Sequence, residues 1–248
     1  MTHSVFFWRR TRRLQKAALP EGMRIYAVGD IHGRFDCLLK LEARIARQEA
    51  DLPAARETMV VFLGDYVDRG PASRDVIEHL LSRRFADLPA RFLLGNHEDA
   101  MLTFLREPTA AVDWLSFGGM ATLASYGVRA PAGNMVAMQQ GLGDVLPDTH
   151  RRFLEELELW IEAGDYLFVH AGIRPNIGLA GQRREDLLTI REPFLSTQAR
   201  LPWRVVHGHT VFPEPRLEPY RISLDTGAYA TGRLSCAVIE GESAQLLT

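Results

Sequence analysis

Cysteine is scarce: Cys37 and Cys236 are the only two in 248 residues, too few for a disulfide scaffold or a zinc ribbon. No run of 18 or more apolar residues occurs, so no membrane span is expected. The opening MTHSVFFWRRTRRLQKAALP has no apolar stretch followed by a small-residue cleavage site. A secretory signal is therefore not expected, and a cytoplasmic location is. Positive charge is thin in the body of the chain. Five of the 29 basic residues (Arg9, Arg10, Arg12, Arg13, Lys16) lie in the first 20, which hold no acid; the other 24 face 31 acids, a balance of −7. Such a body is a poor grip for nucleic-acid phosphates, and no nucleic-acid partner is expected. The basic arm 1–21 could touch anionic lipid or a partner through Phe6, Phe7 and Trp8, but a frayed, disordered terminus is the simpler reading. Internal repeats and low-complexity linkers are missing too, so 22–248 reads as one domain, and 46% apolar residues can fill its core.

What is present is one theme, repeated. Short β-prone runs end in small polar clusters. Residues 24–28 run into GDIHG, 60–63 into GDYVDRG, 91–94 into GNHE, 166–169 into HAG, 204–206 into HGHT and 221–224 into DTG. Amphipathic helices are predicted over Phe35–Glu49 and Ser73–Phe85. The repetition is the α/β pattern, with functional groups at the carboxyl ends of strands. Strands 221–225 and 234–239, joined by TGAYATG, read as a hairpin. Residues 98–165 read as an insertion over one edge of the site: a helix from Glu98 that Pro108 ends, then WLSFGGMATLASYG, a Gly-rich stretch to Pro147, and a helix at about Asp148–Trp160 with Asp148 as N-cap. Trp114 and Gly118-Gly119 could line a substrate pocket; a core aromatic and a bend is the simpler expectation.

In GDIHG, Asp30 and His32 lie two apart, which on extended backbone puts both on one face. A carboxylate beside an imidazole suits a divalent first-row metal. Asp65 adds a carboxylate, Asn96 an amide oxygen, and His170 and His209 two imidazoles. Any one of these histidines could be a satisfied core residue. Six such groups on five strand ends exceed what one metal with open positions needs and suit two metals bridged by a carboxylate.

GDIHG, GDYVDRG, GNHE, HAG and GHT, in that order, resemble the calcineurin-like metallophosphoesterases, and more narrowly the Ser/Thr phosphoprotein phosphatase family with its bacterial members. The resemblance covers roughly residues 22–242. It implies two packed mixed β-sheets flanked by helices, with a dinuclear metal site at the strand ends. It places Asp30, His32 and Asp65 on one metal and Asp65, Asn96, His170 and His209 on the other. It also implies direct attack by a metal-bridged hydroxide, with His97 as general acid oriented by Asp68. Arg69 and, by a looser match, Arg191 would clamp phosphate oxygens. With two divalent cations, the carboxylates of Asp30 and Asp65, a hydroxide and both arginines, such a site carries about +3, which attracts a dianionic phosphate. Mn²⁺ is the expected metal, with Fe²⁺, Zn²⁺ or Co²⁺ compatible.

The expected substrate is a phosphorylated protein or peptide, as for a bacterial-type Ser/Thr phosphatase, because Asp68 and Glu98 differ from the Ala and Asp of the related symmetrical diadenosine tetraphosphate hydrolases. A dinucleoside polyphosphate is the alternative. A non-catalytic phosphate-binding module is the remote one, since it predicts a lost ligand or acid and none is missing. His207, Asp225 and the two cysteines read as support, turn and core residues. Oligomeric state has no signal in the sequence.

Overall fold

The computed structural model describes residues 17–131, 133–197 and 199–247; most of the basic arm lies outside them. Eleven strands are present among these residues: β1 (Met23–Val28), β2 (Glu57–Phe62), β3 (Arg84–Phe85), β4 (Leu88–Phe92), β5 (Trp160–Ala163), β6 (Tyr166–Val169), β7 (Arg204–His207), β8 (Arg216–Leu217), β9 (Arg221–Ser223), β10 (Cys236–Glu240) and β11 (Ser243–Leu246). They form two mixed sheets, ordered β11-β10-β1-β2-β4-β3 and β5-β6-β7-β9-β8. In the first sheet β1, β2 and β4 run parallel, so their carboxyl ends open at one edge. In the second, β6, β7 and β9 do the same.

Alternation along each strand explains how the sheets stack, because successive side chains point to opposite faces. Ile25, Ala27, Val61 and Leu63 meet Tyr166, Phe168, Val206 and Ile222 in a core between the sheets. Their neighbours Tyr26, Val28, Val60 and Phe62 face outward onto helices Phe35–Asp51, Ser73–Leu80 and Asn96–Arg106. On the far side Leu167, Val169 and Val205 pack under Leu187, Ile190 and Phe194. Strands covered on both faces read as continuous apolar runs, which is why the six expected strands stand close to where the sequence put them.

Four expectations need correction. Strands β9 and β10 are not a hairpin: β9 belongs to the second sheet and β10 to the first. The connection crosses between sheets through a short helix, Ala228–Thr231, bracketed by left-handed Gly227 and Gly232. The hairpin is β10–β11 instead. The helix from Ser73 stops at Leu80: Arg83 (φ 52°) takes left-handed backbone, and residues 84–85 then pair with β4 across a turn at Ala86 and Asp87 (φ 52° and 61°). The Gly-rich stretch before Pro147 contains a helix, Met135–Val145, capped by the Asn134 side chain on the Ala137 N–H. The next helix runs Asp148–Glu155 with Pro147, not Asp148, at its N-cap, and Trp160 opens β5.

Candidate dinuclear metal site

Nine non-glycine residues have positive φ among those described, and five of them are predicted site residues: His32, Asp65, Asp68, Arg69 and His209. Left-handed backbone at a non-glycine residue costs of order 1–3 kcal/mol and persists only where the surroundings over-determine it. Here the loops after β1 and β2 hold each other. The N–H groups of Ile31 and His32 both donate to the Asp65 carbonyl, and that of Gly33 to the Tyr66 carbonyl. His32 therefore sits on a tight left-handed turn (φ 48°), not on the extended backbone expected from its spacing to Asp30.

Two sets of side chains converge on one carboxylate. His32, Asp65 and His97 offer ligand atoms within 4.8 Å of one another, and so do Asp65, His170 and His209. Asp65 Oδ2 is 3.5 Å from His32 Nε2, and its Oδ1 is 3.4 Å from His170 Nε2. Asn96 Oδ1 lies 3.0 Å from His170 Nε2 and 2.8 Å from His209 Nδ1. Asp30 sits behind His209, accepting its backbone N–H at 2.9 Å. Arg69 reaches between two imidazoles, 2.9 Å from His32 Nε2 and 3.1 Å from His97 Nε2, and its guanidinium lies over the Tyr229 ring. Arg191 is exposed and has no hydrogen bond to the other nine among the described residues; its positive charge nonetheless contributes to lowering the His209 pKa.

The donor set fits divalent cations. His32 Nδ1–H donates to the Val67 carbonyl and His170 Nδ1–H to the Leu63 carbonyl, at 2.9 and 2.7 Å. A carbonyl can only accept, so each Nε2 carries a lone pair when the ring is neutral. The His170 lone pair then faces the oxygens of Asn96 and Asp65: acceptors point at acceptors, the pattern a cation resolves. Two further buried atoms, Asp30 Oδ1 and His209 Nε2, have no protein partner at all. Burial lowers His32 and His209 to about 3, which keeps both imidazoles neutral and ligand-ready. Burial, with Asp225 and Asp65 nearby, pushes Asp30 well above the usual carboxylate range. A buried carboxylate so placed is relieved either by a proton or by nearby positive charge, and a divalent cation supplies the second while leaving the acid free to act as a ligand.

Glycine is obligatory at two approaches. A Cβ at Gly95 would meet Asp65 Oδ1 at 2.2 Å, and one at Gly208 would meet Asp30 Oδ1 at 2.0 Å. Glu98, fully buried, gathers the N–H groups of Gly95, Asp65, Tyr66 and Val67 at 2.7–3.1 Å. It ties the helix Asn96–Arg106 to the loop that carries Asp65. Burial and the Asp65 charge raise its pKa to about 8, while the N–H donors pull the other way.

The His97–Asp68 contact is short: Nδ1 to Oδ2, 2.6 Å, both side chains buried. Burial alone would lower His97, but Asp65 and Asp68 outweigh it and raise the pKa, which favours the protonated ring a general acid needs. Two of Asp68's partners escaped the sequence reading. Trp114 Nε1–H donates to Oδ2 at 2.8 Å and Thr122 Oγ1–H to Oδ1 at 2.6 Å. No spacing signal links residues 46 and 54 positions downstream to Asp68. His207 is support, as expected, buried against Phe194 with Nε2 on Ser223 Oγ. Asp225 closes its turn by accepting the Gly227 N–H, but its other oxygen is unpartnered and its charge acts on Asp30. Both cysteines are buried and free.

With that geometry in place, the chain is placed by comparison. It belongs to the calcineurin-like phosphoesterase family, whose sequence model matches residues 23–234. It is a hydrolase of phosphoester bonds, in a family that uses divalent metal ions. Among its relatives is the asymmetrical bis(5'-nucleosyl)-tetraphosphatase PrpE of Bacillus cereus, 25% identical over 232 residues that cover 86% of this chain and 89% of that one. A crystal structure assigned as a diadenosine tetraphosphatase superposes with a TM-score of 0.64 at 23% identity, covering 90% of this chain and 92% of its own. The cold-active protein-tyrosine phosphatase of a Shewanella species gives 0.57 at 17% identity, covering 94% and 84%. The two structures share the fold. No helix among the described residues is long and apolar enough to cross a membrane.

Proposed function

We propose that the protein hydrolyses dinucleoside tetraphosphates, cleaving them asymmetrically into a nucleoside triphosphate and a nucleoside monophosphate. The observation that carries this is the match, over 86% of this chain and 89% of the relative, to tetraphosphatases bearing that name. The sequence features that favoured a phosphoprotein substrate lose their weight in the structure. Asp68 serves His97, and Glu98 serves the backbone of the Asp65 loop. Both jobs belong to the chemistry and not to the choice of substrate. A cavity of about 620 Å³ opens beside Asn96, walled by Trp114, Phe117, Leu188, Asp99, Asp113 and Arg184, a volume in the range of small-molecule sites. Its acids outnumber its bases, so it repels a phosphate chain and suits a neutral nucleoside with hydroxyl and amino donors.

In this reading Asp30, His32 and Asp65 would hold one cation and Asp65, Asn96, His170 and His209 the other. Bound divalent cations polarise phosphoryl oxygens and lower the pKa of water. Arg69, between His32 and His97, holds the phosphoryl oxygens, with Arg191 a second positive charge at the rim. The attacking water gives up a proton to solvent and its oxygen bonds to phosphorus as the bridging P–O bond breaks, the electron pair of that bond leaving on the departing oxygen. His97 gives that oxygen a proton where its basicity requires one. The test is product analysis with Mn²⁺ present. Diadenosine tetraphosphate should yield ATP and AMP faster than phosphoserine or phosphotyrosine peptides yield phosphate. Two ADP as products would overturn the asymmetric cleavage, and faster turnover of the peptides would return the substrate to phosphoprotein.

A further inference from the structure

We infer that Trp114 and Thr122 are positioning residues that aim His97 at the leaving group through Asp68. The Asp68 carboxylate is 0% exposed and receives three donors: His97 Nδ1–H, Trp114 Nε1–H and Thr122 Oγ1–H, at 2.6, 2.8 and 2.6 Å. A carboxylate held by the histidine alone could rotate about its last bond; three donors on two oxygens fix its plane and so the imidazole. Thr122 holds the same residue twice. Its hydroxyl oxygen also accepts the Asp68 N–H at 2.9 Å, shared with Ser73 Oγ at 3.0 Å. That second grip secures Asp68 in its left-handed conformation (φ 75°).

The segment that carries both donors is shaped to reach this carboxylate. Residues Leu115–Gly119 form a π-helical turn, broken at Gly118 (φ 139°), and such turns collect at functional sites. A Cβ on Gly118 would meet the Arg69 nitrogen at 2.8 Å and Asp68 Cβ at 2.9 Å; one on Gly119 would meet the Trp114 ring at 2.6 Å. The Gly118 carbonyl accepts the Arg69 N–H. Packing alone would not demand this: Phe104, 4.8 Å from the indole, could pack on any large ring, whereas the indole N–H is aimed at one oxygen. The role concerns orientation and is independent of which phosphate ester the enzyme prefers.

The test uses Trp114→Phe, Thr122→Val and Thr122→Ser with p-nitrophenyl phosphate, a good leaving group, and an alkyl phosphate, a poor one. Trp114→Phe and Thr122→Val should each lower kcat on the alkyl ester about tenfold, inside the roughly 10²–10⁴-fold that general acid catalysis supplies. KM should stay within about twofold, the p-nitrophenyl ester should be nearly unaffected, and Thr122→Ser should restore the rate. Bound metal per chain should not change. Equal losses on both esters, no loss on either, lost metal, or a serine variant as poor as valine would each overturn the inference. If Trp114→Phe does not fold, the Val and Ser pair decides alone.

Discussion

The loops after β1, β2 and β4 and the segment 114–122 that lies over them are built on different plans. Each loop concentrates its function in four to seven consecutive residues and is anchored to its neighbour. Backbone bonds do this where Ile31 and His32 donate to the Asp65 carbonyl, and the Glu98 carboxylate does it where the loop after β4 meets the one after β2. The overlying segment has no such run. It contributes an indole, a hydroxyl and a carbonyl from separate positions, Trp114, Thr122 and Gly118, to two residues of another loop, Asp68 and Arg69. The first plan assembles charge and the second aims it. Loss of an assembling residue should abolish metal binding, whereas loss of an aiming residue should leave metal in place and slow only part of the chemistry.

The strongest way to break that contrast is Asp65→Asn. Asp65 is the carboxylate common to both ligand groups, and substitution removes its charge with little change of shape. Turnover should fall about 10³-fold or more, equivalent to about 4 kcal/mol of transition-state stabilisation. Bound metal, measured by elemental analysis, should fall with it. An Asp65→Asn protein that keeps two metals per chain would remove the distinction between assembling and aiming residues.

Next in size is Glu98→Ala, which tests whether assembly depends on backbone as much as on ligands. Four N–H groups lose their acceptor, and a buried orphan donor costs about 1–3 kcal/mol. Removing the buried Glu98 carboxyl relieves its own desolvation and offsets much of that sum. A net loss of about 3 kcal/mol would lower the melting temperature by roughly 6–12 °C in a chain of this size, and metal affinity should weaken because the Asp65 loop is no longer tied to the helix that carries Asn96. Unchanged melting with normal metal affinity would show that the loop holds its strained shape without Glu98.

The contrast also explains how much the sequence revealed. The assembling loops were legible because backbone geometry forces their groups to be near neighbours: GDIHG, GDYVDRG and GNHE each fit one strand end. Buried strands such as β2 and β6 were legible through their unbroken apolar runs. The aiming contacts were not, because Trp114 and Asp68 meet only after the chain has passed through β4 and the helix Asn96–Arg106. An apolar aromatic near a Gly-Gly pair reads as core, and Trp114 is indeed buried in the core cluster; its single polar atom does the extra work. The β9–β10 misreading has the same origin. TGAYATG has the length and glycines of a hairpin turn, and only the pairing partners, β7 for one strand and β1 for the other, reveal that it joins different sheets.

The smallest expected effect sharpens the comparison at its outer edge, where the aiming segment becomes the wall of the cavity. Trp114, Phe117 and Thr103 all line that space, and Phe117 also stands edge-on to His97 at 4.9 Å. Thr103→Trp would fill part of the cavity from the helix Asn96–Arg106, at a residue that makes no hydrogen bond to Asp68. If the space receives a nucleoside, KM for diadenosine tetraphosphate should rise several-fold, on the order of 1–2 kcal/mol of lost contact. Hydrolysis of p-nitrophenyl phosphate, which has no nucleoside to place, should change less than about twofold. A matching loss on both substrates would mean that the bulk is felt through Phe117 at His97, so that the cavity wall belongs to the aiming apparatus rather than to recognition.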